Sequence, residues 1–188
     1  MRSALLTLPW SARSAAAERD ARLRAMVAGH FDFIWRNAVR LGVPRADADD
    51  AAQQVFLVAA GRLEDIAEGD ERAFLYGACL RIAARHRRTL ERRRESGEPV
   101  PSSVVDPSDD PHQHCERSRA RAQLDRVLDA MPLELRSVFV LFELEEETMA
   151  SIAQTLAIPP GTVASRLRRA REAFSAAVKA LNAEGEAR

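Results

Sequence analysis

Aromatic residues make up only 5% of this 188-residue chain and glycine occurs 8 times. That scarcity disfavours β-sandwiches and barrels, which depend on tight turns and aromatic packing. Cysteine is nearly absent as well. Cys79 and Cys115 cannot build a dense disulfide framework, and nothing else in the composition points to an oxidising compartment. No apolar run approaches the roughly 18 residues of a membrane span. The stretch from Met1 to Trp10 is apolar in part, but Pro9 interrupts it and it is too short for a signal peptide, so a cytoplasmic protein is expected. Net charge is lacking too: 28 Lys plus Arg meet 28 Asp plus Glu. At first sight that balance argues against a general polyanion binder. A Gly-rich phosphate loop, a nucleophile–base constellation and a paired-carboxylate cleft are also missing, so neither an enzyme nor a cofactor is expected.

What is present is helical periodicity. After a short tail expected to be disordered (1–17), the apolar residues Leu23, Val27, Phe31, Ile34, Ala38 and Leu41 recur at helical spacing from Glu18 to Leu41. Gly42 and Pro44 then supply a C-cap and a breaker. A second helix is expected from Asp47 to Leu63, with Ala51, Val55, Val58 and Ala59 inward and acidic residues in its first turn. A third runs from Glu71 to Arg94 on Phe74, Leu75, Ala78 and Ile82. Between Arg81 and Arg94 it carries seven arginines against one glutamate, a local charge of +6.

Residues 95–117 change character, with prolines, serines and aspartates and little periodicity, and read as a flexible linker. Helical patterns resume over Arg117–Ala130, Leu133–Leu144, Thr148–Leu156 and Pro159–Leu181. No strand pattern is visible. The expected fold is all-α: two small helical domains (18–94 and 118–181) joined by a flexible linker.

The segment Thr148–Arg171 reads as helix, turn, helix. Val163, Leu167, Ala170 and Phe174 place one face of its second helix inward, which turns Ser165, Arg168, Arg169 and Glu172 outward, with Thr162 and Arg166 on the flanks. A helix held this way can enter a major groove, where arginine reads guanine edges or holds phosphates. Thr162 and Ser165 lie near its N-terminus, where hydroxyls donate to phosphate oxygens.

Ile152-Ala153, Gly161-Thr162-Val163, Ser165-Arg166-Leu167 and Arg169-Ala170-Arg171 resemble the C-terminal DNA-binding motif of the extracytoplasmic-function (ECF) sigma factors of bacterial RNA polymerase. Leu128-Asp129-Ala130-Met131-Pro132 and Arg136-Ser137-Val138-Phe139 resemble the entry to that module. Independently, Asp47–Leu57, with Asp50, Gln53, Val55 and Phe56, resembles the family's polymerase-docking helix. Ala73-Phe74-Leu75-Tyr76 and the basic helix after it resemble the promoter-opening segment. The resemblance covers residues 20–94 and 118–178. It implies that core RNA polymerase is met by Asp50, Gln53 and Phe56. Arg81, Arg85 and Arg88 would contact the minus-ten element, and Thr162, Ser165, Arg166, Arg168 and Arg169 the minus-thirty-five element. Promoter DNA and an anti-sigma factor are the other implied partners. Three positions depart from the family pattern: Arg81 stands where Asn is frequent, Phe74 where Trp is common, and Ala164 where a longer polar residue is usual.

The competing readings are a stand-alone helix-turn-helix regulator and a protein-interaction module without DNA contact. His112, His114 and Cys115 are spaced too tightly for a usual tetrahedral zinc site, so no metal is expected. Glu143, Glu145, Glu146 and Glu147 read as a solvated helix end. Zero net charge thus conceals opposed local charges: +6 over Arg81–Arg94, +4 over Arg166–Arg171 and −4 over Glu143–Glu147.

Overall fold

The computed structural model describes residues 10–96 and 111–186, without the side chains of 10–14, 94, 111–119 and 184–186. Among the described residues seven α-helices follow in order: α1 (Trp10–Arg40), α2 (Ala48–Gly61), α3 (Glu71–Glu95), α4 (Pro111–Asp129), α5 (Leu133–Phe139), α6 (Met149–Leu156) and α7 (Pro160–Glu186). Among the described residues there is no strand, and no helix is long and apolar enough to cross a membrane.

The first three helices pack on one another around Phe33, Ile34, Ala38, Leu41, Val55, Ala59, Leu75 and Ile82. Helix α1 starts at Trp10, so residues 10–17 belong to it rather than to a tail; their alanines are strong helix formers. The tail residues 1–9 and the linker residues 97–110 lie outside the described set. Helix α4 starts at Pro111, well before the expected Arg117, with proline at the first helical position where its missing N–H is harmless. Val58 is a correction: it is 42% exposed. At 100° per residue it lies about 90° from the centre of the buried set Ala48, Ala51, Ala52, Val55, Phe56 and Ala59, beyond its edge rather than within it.

Gly42 ends α1 with φ of +100°, where Val43 N–H donates to Ala38 O at 3.0 Å and Gly42 N–H to Val39 O at 2.9 Å. This is a Schellman C-cap, and glycine adopts the required conformation without a Cβ penalty.

Two departures shape the second module. The helix expected to reach Leu144 stays α-helical only to Phe139, and Val140–Leu144 forms a single π turn closed by Glu145 N–H to Val140 O. The helix-turn-helix corner uses Ala157 at φ of +51°, with Ile158 N–H donating to Ala153 O at 3.0 Å. A left-handed alanine costs roughly 1 kcal/mol that glycine does not. Ala157→Gly is therefore expected to raise unfolding free energy by about 0.5–1 kcal/mol, read from denaturant melts; a loss of stability would contradict this account of the corner.

The cores of the two modules are continuous. Val138, Leu141, Ile152, Val163 and Leu167 join the core of α1–α3, while Leu128, Met131, Leu135, Phe139, Val140 and Ala170 form a second cluster. Tyr76 of α3 is fully buried against the second module, its hydroxyl donating to Ser137 O at 3.1 Å. Burial, with Cys79 and Glu145 adding to it, raises its pKa well above the ordinary range, so it stays a donor.

Candidate nucleic-acid and polymerase interface

Helix α7 begins at Pro160, and its inward face is fixed by the buried Val163, Leu167 and Ala170. Thr148 caps the preceding α6 by accepting the N–H of Ser151 at 3.1 Å. Ser165, Arg168 and Arg169 are exposed; Thr162 and Arg166 are half-buried on the flanks. Ser165 Oγ donates to Thr162 O at 3.0 Å. Arg168 pairs with Glu172 one turn on, at 2.7 Å between two largely solvated side chains. Such a pair is worth only about 0.3–0.5 kcal/mol, so Arg168 exchanges it readily for another anion. Arg171 differs. It bonds Glu143 at 2.7 Å and lies over Phe142, which ties α7 to the π turn.

On α3, Arg81, Arg85 and Arg88 are exposed and fall within about 60° of one another around the helix axis. On α2, Asp50 and Gln53 are exposed and share a face with Leu57. Phe56 does not. It is 7% exposed and stacks on Phe31 with centroids 6.3 Å apart, because its position points toward α1. Expected to meet core polymerase, Phe56 is instead buried and anchors α2; the large apolar side chains exposed on this helix are Leu57, 65% exposed, and Val58, 42% exposed. An apolar residue on the polar face of an amphipathic pattern was the available signal.

The acidic segment is the largest correction. Glu145 is not a solvated helix end: its side chain is 6% exposed and takes Arg40 at 2.5 Å, Arg72 at 3.1 Å and Arg36 at 3.9 Å. Glu147 accepts Arg72 Nε at 2.8 Å and the Ser151 hydroxyl at 2.7 Å. Charge alone looked like solvent exposure; the arginines that desolvate these groups lie far away in sequence.

Arg136 is the other junction residue, 1% exposed. Its Nε donates to Arg40 O, its Nη2 to Val39 O at 3.5 Å, and its Nη1 to Asp129 at 2.7 Å. It places a cation at the C-terminal end of α1, where the helix dipole favours one. Gly42 makes room, since a Cβ there would stand 3.2 Å from Arg136 Nη1.

Cys79 is buried, and its thiol is pushed up to about 12 by desolvation, which makes it a packing residue. The side chains of His112, His114 and Cys115 lie outside the described residues. Among the described residues, no group of three or more His, Cys, Asp or Glu is placed to hold a metal ion.

Residues 121–174 match the family Sigma-70, region 4. The chain is 30% identical over 152 residues to ECF RNA polymerase sigma factor SigE of Mycolicibacterium smegmatis, a match covering 78% of this chain and 58% of that relative. It therefore spans little more than half the length of SigE. It is 32% identical over 163 residues to ECF RNA polymerase sigma factor SigL of Mycobacterium tuberculosis, covering 83% of this chain and 88% of SigL. Among solved structures, CnrH in complex with the cytosolic domain of CnrY shares the fold with a TM-score of 0.67 at 23% identity, over 90% of this chain and 95% of that one. The sigma factor RpoE in complex with the anti-sigma factor NepR from Bartonella quintana shares it at 0.64 and 17% identity, over 83% and 96%. Given the relation to SigL across most of both proteins, the chain belongs to the ECF RNA polymerase sigma factors.

Proposed function

We propose that the chain binds core RNA polymerase and directs it to specific promoters, contributing recognition rather than chemistry. The carrying observation is the placement of two separate basic helix faces, on α3 and α7, each held by an apolar stripe. In this reading the N-terminal module (18–94) docks through Asp50, Gln53 and the neighbouring Leu57. It takes the minus-ten element through Arg81, Arg85 and Arg88. The C-terminal module (118–181) reads the minus-thirty-five duplex through Thr162, Ser165, Arg166, Arg168 and Arg169, with 95–117 as the intervening stretch. Direct base readout and phosphate contact suit these side chains. CnrH and RpoE are each seen bound to another protein, CnrY and NepR. An anti-sigma partner in the cytoplasm is proposed here by that likeness.

The test is transcription by core polymerase on promoter templates with and without the purified chain. Promoter-specific transcripts are expected only with it. Leu57→Asp is expected to weaken binding to core about tenfold or more, in the range of an interface hot spot. Its melting temperature should not change, because Leu57 is exposed. No transcript from any template together with no complex with core would sink the proposal. Tight, specific duplex binding without polymerase would favour a stand-alone regulator.

A further inference from the structure

Three guanidinium groups of the first module converge on a carboxylate supplied by the second. Arg36 and Arg40 come from α1 and Arg72 from the first turn of α3, all within 3.9 Å of Glu145. Asn37 Nδ2 adds a neutral donor at 3.2 Å to the same carboxylate. Arg72 lies over the Phe33 ring, its guanidinium carbon 3.8 Å from the centroid, a cation–π contact that helps hold it in place. Three like charges brought this close repel one another unless an anion lies between them. The cluster is thus a built oxyanion cradle, and its present occupant belongs to the other module.

We propose that Arg36, Arg40 and Arg72 form a phosphate-binding site for a single nucleic-acid strand, occupied by Glu145 and Glu147 as phosphate surrogates while the modules are packed together. Donors converging from several sides suit a phosphodiester at least as well as a carboxylate, and a planar guanidinium bonds either in the same way.

The location supports a strand as the ligand. Helix α6 lies across α3, with Thr155 O 3.9 Å from the Cβ position of Gly77. At 100° per residue Gly77 and Tyr76 face α6, while Arg72 and Arg81 project on either side of it. A strand running from the Arg36–Arg40–Arg72 cradle to Arg81 therefore crosses the surface that α6 covers. Strand binding and module packing exclude each other. This inference rests on the reading of α3 as a promoter-strand helix.

The experiment is fluorescence anisotropy of the full chain with a labelled single-stranded oligodeoxynucleotide across a salt titration. The double variant Glu145→Gln/Glu147→Gln is expected to bind about tenfold tighter than wild type at low salt. Its salt slope should steepen by about 1.4, as two newly contacted phosphates require. Adding Arg40→Ala and Arg72→Ala should remove the gain. Glu147→Gln alone, the milder change at the edge of the cluster, should steepen the slope by about 0.7. Unchanged affinity and slope in folded variants would overturn the proposal, as would a gain that survives the loss of both arginines. If the strand results hold but the wild-type chain starts no transcription with core polymerase, the promoter reading fails and the phosphate site stands.

Discussion

Alanine at both Arg168 and Arg169 is expected to weaken binding of the polymerase-bound chain to duplex promoter DNA by about a hundredfold. A well-placed arginine contact to a base is worth about 1–3 kcal/mol of discrimination, and a hundredfold loss corresponds to roughly 2.7 kcal/mol. Both residues are exposed on a helix whose inward face is fixed by Val163, Leu167 and Ala170, so folding should survive. The Arg168–Glu172 pair that disappears is solvated and worth little. The two kinds of contact separate in the salt dependence. A lost phosphate contact lowers the salt slope by about 1, whereas a lost base contact relaxes preference at one position. Titration of matched and mismatched duplexes at several salt concentrations reads both. Equal affinity and equal slope for variant and wild type would exclude α7 as the reading helix.

The largest expected stability effect belongs to Arg136→Ala, a loss of about 3 kcal/mol in unfolding free energy. The guanidinium is almost wholly buried and bonds the carbonyls of Val39 and Arg40. Truncation strands the Arg40 carbonyl at the dry end of α1, at about 1–3 kcal/mol for an unsatisfied group, and empties a packed site, while Val39 O keeps the Gly42 N–H. For a chain of this size the melting temperature should fall by about 6–12 °C. Asp129→Ala provides the contrast. Its side chain is 65% exposed and water can replace its bond to Arg136, so less than about 1 kcal/mol is expected. Thermal and urea melts of both variants decide the matter; equal losses would mean that Arg136 acts through the ion pair and not through the helix end.

The helical architecture was readable because its signals are local. The Leu23–Leu41 spacing, the Gly42–Pro44 stop and the Val163–Leu167–Ala170 stripe each specify a helix face within a few turns. What could not be read is nonlocal. Glu145 looks like any glutamate in an acidic run until Arg36, Arg40 and Arg72 arrive from more than 70 residues away. Arg136 sits in a pattern that marks the module entry, yet nothing nearby says that the end of α1 will receive it. Phe56 and Leu57 show the same limit at short range. Adjacent residues on a helix differ by 100°, and only the position of α1 decides which of them faces inward. The resemblance to the family points to a stretch of α2 without assigning its inward and outward sides.

The π turn at Val140–Leu144 gives the chain a dependence on residue count as well as residue type. A π turn holds one more residue than the α-helical turn it replaces, so the backbone there could lose a residue and still close regular hydrogen bonds. Everything after it would then rotate by about 100° relative to α5. Glu145 and Glu147 would swing off the arginine cluster, and α6 would leave α3, although no charged or core residue had been replaced. Length is therefore under constraint in this segment independently of composition. A segment that a composition scan would pass over acts as the phase setting between the two halves of the protein.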